Sequence, residues 1–65
     1  MKIEKTDLIG DVLDRYPQLA LYFFEIGMHC LGCPASRGES IEEACMVHGV
    51  SADELVAKLN AHAAQ

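Results

Sequence analysis

The stretch of residues 27–38, GMHCLGCPASRG, divides the chain into two parts that both carry the periodicity of amphipathic α-helices. Glycine and proline cluster in this stretch, and these residues end helices and form turns. It also holds two of the three cysteines and one histidine, so turn-forming and chemically reactive residues coincide. We therefore expect a small helical frame that presents this stretch as a loop.

The part before the loop predicts two helices that meet at Tyr16 and Pro17. Thr6 is a suitable N-cap residue for the first helix, and Asp7 then lies in its first turn. The apolar stripe of this helix comprises Leu8, Ile9, Val12 and Leu13. Gly10 interrupts the helix and indicates close packing against another element. Because a residue before proline avoids the α region, the first helix should end at Tyr16 and the second begin at Pro17.

The second helix is apolar on most of its sides, which predicts the most buried element of the domain. The residues concerned are Leu19, Ala20, Tyr22, Phe23, Phe24 and Ile26. Gly27 follows and should end the helix in a left-handed conformation. Met28 and Met46 are expected to fill gaps in the core.

The part after the loop carries two helix-start signals. Ser40 and Glu43 match a capping box, and residues 51–54, SADE, repeat the pattern. Gly49 separates the two helices, and the end of the chain, residues 61–65, should fray with His62 exposed. Helical spacing places Ile41, Ala44, Cys45 and His48 on one face of the third helix, and Leu55, Val56 and Leu59 on one face of the fourth. The sequence thus predicts one compact all-α domain over residues 1–65, with four main helices and space for a fifth short helical turn after Pro34.

The charge and length of the chain narrow the classes of function. The net charge of −5 argues against binding to nucleic acid or to an anionic membrane surface. No apolar run follows the charged first residues, and the longest such run, residues 19–24, is too short to cross a bilayer. We therefore expect a cytoplasmic protein. A 65-residue chain has a marginal core, which favours a disulfide, a metal or a homodimer as an additional source of stability.

The CxxC pair, Cys30 and Cys33, is the main candidate for chemistry, because in the cytoplasm this spacing is typical of redox or metal sites. A reactive cysteine needs a lowered thiol pKa and some exposure. Pro34 favours a helical turn, and the free amides at the start of that turn would stabilise a thiolate at Cys33. Cys30 would then be the resolving cysteine, and His29 could supply positive charge or transfer a proton. Arg37 is either a partner for an anionic group or a solvated surface residue.

A metal or iron–sulfur site is the first alternative. Cys30 and Cys33 would supply two ligands and His29 a third, while Cys45, His48 or a second subunit would supply the remainder. The chain has no second CxxC, so a closed site within one chain is poorly supported, and no cofactor is expected. Cys45 is better explained as a core residue, and His48 as a residue that favours a helix C-terminus. The second alternative is a helical interaction module whose cysteines are incidental.

Several motifs carry a resemblance to a known family. They are residues 6–13 (TDLIGDVL), residues 16–17 (YP), residues 27–34 (GMHCLGCP) and residues 40–50 (SIEEACMVHGV). With these motifs the chain resembles the hybrid-cluster-protein-associated redox disulfide domain, a family otherwise of unknown function. It is more distantly similar to the N-terminal domain of iron–sulfur cluster repair di-iron proteins. The resemblance implies a compact helical fold, a bacterial or archaeal setting and a redox disulfide between Cys30 and Cys33.

The leading hypothesis is therefore a small thiol–disulfide redox module. Cys30 and Cys33 would exchange electrons with an unidentified protein partner, and His29 would assist them. The partner would be one that handles iron–sulfur or nitrogen-oxide chemistry.

Overall fold

Five α-helices and one 3₁₀ turn form most of the part of the chain that the structure, a computed structural model, describes, which is residues 2–28 and 34–63. They are α1 (Ile9–Arg15), the 3₁₀ turn (Pro17–Leu19), α2 (Ala20–Glu25), α3 (Pro34–Arg37), α4 (Ile41–His48) and α5 (Ala52–Ala63). The 3₁₀ turn runs directly into α2, so the four main helices and the short fifth helix at Pro34 are confirmed. None of these described helices has the length and apolar character needed to cross a membrane.

The third main helix, α4, begins and ends as the sequence predicts. The Glu43 backbone N–H donates to Ser40 Oγ at 3.1 Å, and the Ser40 N–H donates to Glu43 Oε1 at 2.9 Å. These two bonds form a complete capping box. At the other end Gly49 adopts the left-handed conformation, with φ of 69°. In α5 the Glu54 N–H donates to Ser51 Oγ at 3.3 Å, which is one of the two bonds of the capping box predicted there.

The start of α1 differs from the prediction. The helix begins at Ile9, and the N-cap position is held by Leu8, whose side chain makes no capping bond. The backbone at residues 7–9 instead pairs with residues 39–41. The Ile9 N–H donates to Glu39 O at 2.9 Å, and the Ile41 N–H donates to Asp7 O at 3.0 Å. A tertiary bridge thus takes the place of the local cap that Thr6 was expected to supply.

The core is assembled from all of the main helices and from the N-terminal segment. Its buried side chains are Ile3, Ile9, Val12, Leu13, Leu19, Phe23, Met28, Ile41, Ala44, Cys45, Leu55 and Leu59. Ile3 is fixed by Asn60 of α5. The Ile3 N–H donates to Asn60 Oδ1 at 2.7 Å, and Asn60 Nδ2 donates to Ile3 O at 2.9 Å. The sequence analysis did not identify this pair, although it joins the first described residues to the last helix.

The prediction that the second helix is the most buried element is wrong, because Phe23 is the only buried residue of α2. Phe23 is fully buried, but Leu21 is 61% exposed and Phe24 is 47% exposed. Met46, expected in the core, is 76% exposed on α4. A domain of five short helices covers each helix on one face only, so apolar residues beyond that face remain at the surface.

The expected fraying is wrong for residues 61–63, which continue α5 to Ala63. The His62 ring stacks on Tyr22 with 4.8 Å between the ring centroids, so His62 is partly buried. Lys58 Nζ lies 5.7 Å from the centroid of the same Tyr22 ring and 3.4 Å from Glu25 Oε1. These contacts tie the last turns of α5 to α2.

Candidate functional site

The predicted reactive residues His29, Cys30 and Cys33 lie outside the residues that the structure describes. Their roles therefore stay predictions. The structure does describe the chain on both sides of residues 29–33, and these two flanks determine where that segment begins and ends.

The N-terminal flank is fixed by the core. Met28 is buried, as predicted, and its N–H donates to Phe23 O at 3.2 Å. The Gly27 N–H donates to Phe24 O at 3.0 Å, and its φ of 107° is a positive value that favours glycine. The chain thus leaves α2 through a glycine turn, and the buried Met28 directly precedes residues 29–33.

The C-terminal flank is the short helix α3, which begins at Pro34. The Gly38 N–H donates to Pro34 O at 3.0 Å and closes this single turn. The predicted helical turn after the CxxC is therefore confirmed, and Pro34 follows Cys33 directly in sequence. None of the residues of α3 is buried. A single turn offers free backbone amides but only a small dipole, so it stabilises an adjacent anion less than a long helix does.

Arg37, the last residue of α3, binds α1. Its Nη2 donates to Gly10 O at 3.1 Å and to Asp14 Oδ1 at 2.6 Å. The structure thus gives Arg37 a role beyond the two that the sequence left open, because it links two helices. The sequence offered no signal for this contact, since Asp14 and Arg37 are 23 positions apart.

Gly10 allows α3 to approach α1 closely, which confirms the packing role predicted for it. A Cβ atom at Gly10 would lie 3.0 Å from Arg37 Cβ and 3.0 Å from Arg37 O. Both distances are shorter than ordinary van der Waals contact, and one of the atoms belongs to the backbone. A larger residue at position 10 would therefore move α3 away from α1.

Cys45 is a core residue, as predicted. It is 1% exposed on the buried face of α4, and burial raises the pKa of its thiol. A protonated, inaccessible thiol is a poor nucleophile and a poor metal ligand. Cys45 is therefore a poor candidate for a reactive or metal-binding residue.

His48 lies beside Gly27, in the N-terminal flank of residues 29–33. It is exposed at the C-terminal end of α4, where it was expected to favour the helix dipole. Its Nδ1 is 3.2 Å from the position that a Cβ atom on Gly27 would occupy. The imidazole therefore packs against the residue that turns the chain toward His29, a proximity that the sequence alone did not reveal.

A metal site cannot be assembled from the described residues alone. Within residues 2–28 and 34–63, no three or more His, Cys, Asp or Glu side chains form a group that could hold a metal ion. The metal alternative therefore depends on His29, Cys30 and Cys33, with His48 as the nearby described candidate for a further ligand.

Comparison with known proteins places the chain in a family without assigning an activity. No curated protein matches it. It is similar to a protein from Clostridium thermocellum whose structure was determined in solution by NMR. The two sequences are 56% identical, and the two structures superpose with a TM-score of 0.81 over 95% of this chain and 89% of that one. The family model described as a domain of unknown function, DUF1858, matches residues 3–56. By that match, which spans all of the helices up to the middle of α5, the chain belongs to the DUF1858 family.

Proposed function

We propose that this protein is a cytoplasmic thiol–disulfide redox module in which Cys30 and Cys33 cycle between dithiol and disulfide. The observation that carries the proposal is a CxxCP sequence between two fixed flanks, the buried Met28 and the helix that begins at Pro34. Fixed flanks limit the separation available to two cysteines that are three positions apart. Such a limit favours formation of a disulfide within the chain.

The exchange reaction requires a protein partner with its own disulfide. The thiolate of one cysteine attacks a partner sulfur, forms a mixed disulfide and releases one partner thiolate. The second cysteine then attacks the mixed disulfide, which gives the Cys30–Cys33 disulfide and a second partner thiolate. Two electrons pass to the partner, and the two protons lost by the cysteines are taken up by the partner thiolates. We propose Cys33 as the attacking thiolate and Cys30 as the resolving one, with His29 as the group that accepts a proton.

The resemblance to the hybrid-cluster-protein-associated redox disulfide domain suggests the kind of partner. Such a partner would handle iron–sulfur or nitrogen-oxide chemistry in a bacterial or archaeal cell. The surface of the chain supports recognition of a protein, because Leu21, Phe24, Met46 and Val47 are exposed apolar side chains. The same side chains could instead pair two copies of the chain as a homodimer.

The redox proposal is tested by equilibrating the protein with glutathione buffers and measuring its mass after trapping free thiols. We expect one reversible disulfide in the wild type and in Cys45→Ala, and none within the chain in Cys30→Ser or Cys33→Ser. The midpoint should fall within the range of cytosolic glutathione, about −220 to −320 mV. A pair that never oxidises, or a disulfide that this pool cannot reduce, would contradict the proposal.

A metal- or cluster-binding module is the second candidate, and the position of His48 beside Gly27 favours it. The ligands would be Cys30, Cys33 and His29, completed by His48 or by the CxxC of a second copy. Anaerobic purification followed by metal analysis tests it. Stoichiometric zinc or iron should be lost in Cys30→Ser and reduced in His48→Ala, while His62→Ala serves as the matched histidine control. Metal-free, folded monomer would count against this candidate.

A helical interaction module with incidental cysteines remains the third candidate, and the exposed apolar residues of α2 and α4 favour it. It predicts that a variant with Cys30 and Cys33 both changed to Ala keeps its function in a cellular assay. Loss of function in that folded variant would exclude it.

A further inference from the structure

The short helix α3 lacks the usual sources of helical stability. Four residues form a single turn, and the first turn of a helix is unfavourable by itself because several residues are fixed for one hydrogen bond. None of these residues is buried, so apolar packing does not hold the turn in place. Polar contacts with its neighbours are therefore the main described contribution to the position of α3.

The described side-chain contacts between α3 and α1 converge on Arg37, and the backbone bridge between residues 7–9 and 39–41 lies just beyond them. Its guanidinium reaches Gly10 O and the Asp14 carboxylate, which lie one helical turn apart on α1. Its backbone lies against Gly10, where only a glycine leaves enough space. Arg37 thus joins α3 itself to two positions on α1, while the backbone bridge holds the residues that follow α3.

The same contacts contribute little to the stability of the whole domain. The Arg37 side chain is 34% exposed and the Asp14 side chain 69% exposed, and ion pairs with such exposure are weakened by water and salt. A change at Arg37 should therefore alter the position of α3 without unfolding the rest of the core.

From this arrangement we infer that Arg37 is a positioning residue for the CxxC pair and acts through α3. The inference rests on the proposed redox function. Pro34, the first residue of α3, is covalently bonded to Cys33, so the position of α3 limits where Cys33 can lie relative to Cys30. The equilibrium between dithiol and disulfide then depends on the link from Arg37 to Asp14.

Two substitutions distinguish positioning from a simple effect of charge. Arg37→Ala removes a positive charge four positions after Cys33 in the sequence, and Asp14→Ala removes the negative charge that pairs with it. If Arg37 acted through its charge on a thiolate, the two variants would shift the disulfide equilibrium in opposite directions. If it acts by holding α3, both variants break the same contact and shift the equilibrium in the same direction.

The experiment measures the equilibrium constant of the Cys30–Cys33 disulfide with glutathione in the full chain. We expect Arg37→Ala and Asp14→Ala each to change this equilibrium constant about threefold or more in the same direction. The double variant should have the same constant as Arg37→Ala alone, because that substitution already removes the contact with Asp14. Lys5→Ala is the matched control, since it removes exposed ion pairs to Glu42 and Asp53 and should leave the constant unchanged. Opposite shifts, or no shift, would overturn the inference.

A second measurement separates this inference from the proposed function. If the wild type forms no reversible disulfide, the redox proposal fails, and the inference is then judged on the alkylation rates of Cys30 and Cys33 in a Cys45→Ala background. Arg37→Ala and Asp14→Ala should change these rates in the same direction and accelerate exchange of the Gly38 amide, which closes α3. Rates equal to those of the parent protein would overturn the inference in that case also.

Discussion

The two helices that follow the CxxC, α3 and α4, are held in place by opposite means. In α4 a complete capping box fixes the start, a left-handed glycine fixes the end, and Ile41, Ala44 and Cys45 are buried. In α3 no residue is buried, and its link to α1 is made by Arg37. The stability of the helical domain therefore depends on burial and capping, whereas the position of α3, which follows the CxxC, depends on polar contacts. A substitution can therefore change one of them and leave the other nearly intact.

The largest effect is expected in the core that supports α4 and α2. Phe23→Ala should lower the free energy of unfolding by about 3–5 kcal/mol, because it leaves a cavity at a fully buried site. Phe24→Ala, at the next position of α2, is the matched control and should cost less than about 1.5 kcal/mol because its side chain is half-exposed. Urea denaturation monitored by circular dichroism measures both. Equal losses would show that burial does not distinguish the two faces of α2.

The next effect is expected where α5 holds the N-terminal segment. Asn60→Ala should cost about 1–3 kcal/mol, since it removes both hydrogen-bond partners of the Ile3 backbone in a partly buried position. Amide exchange at Ile3 should accelerate more than exchange in α4. Gln18→Ala, at an exposed position, is the control and should change neither quantity. An unchanged Ile3 amide in Asn60→Ala would contradict the proposed contact.

A smaller effect is expected at the cap of α4. Ser40→Ala should cost about 1 kcal/mol, the usual value for loss of an N-cap side chain. Ser51→Ala, which removes the longer 3.3 Å bond in α5, should cost less. Thermal or urea unfolding measures both variants. A larger loss for Ser51→Ala would reverse the ranking of the two caps.

The capping box also predicts the sign of a pH effect. Two hydrogen bonds with Ser40 lower the pKa of Glu43. The bond from the Ser40 backbone N–H has the larger effect, and the bond with the Ser40 side chain has the smaller one. A carboxyl group with a lowered pKa in the folded state stabilises the protein above its unfolded-state pKa and loses this contribution as the pH falls through the folded-state value. The stability difference between wild type and Glu43→Gln should therefore decrease on acidification in that range. A difference that grows on acidification would contradict this assignment.

The smallest effect on global stability is expected at the contact between α1 and α3. Gly10→Ala gains up to about 1 kcal/mol of helix propensity in α1 but forces Arg37 to move, so the net change should be small. Exchange of the Gly38 amide should nevertheless accelerate, because α3 is displaced. An unchanged Gly38 amide would show that α3 is held by other contacts and would weaken the contrast with α4.

The features that the sequence predicted correctly are those with local signals. The Ser40 capping box, the glycine ends at Gly27 and Gly49, and the turn at Pro34 each depend on residues a few positions apart. Cys45 was assigned to the core because helical spacing placed it with Ile41 and Ala44. The reactivity of Cys30 and Cys33 stays a prediction.

The features that the sequence did not predict depend on residues far apart in the chain. The backbone bridge between residues 7–9 and 39–41 displaced the expected cap at Thr6. The exposure of Phe24 and the packing of His62 on Tyr22 depend on which face of α2 meets α5. The Asn60 contact with Ile3 joins positions 57 apart, and no local pattern indicates it.

That contact between Asn60 and Ile3 also affects how the domain could be combined with other proteins. The two hydrogen bonds hold the backbone at Ile3 against Asn60, so the first described segment and the last helix lie together. A helical frame whose first and last described segments lie together can be inserted into a surface loop of a host protein through short connections. The helical frame could therefore be inserted into another protein as a unit that carries its CxxC segment.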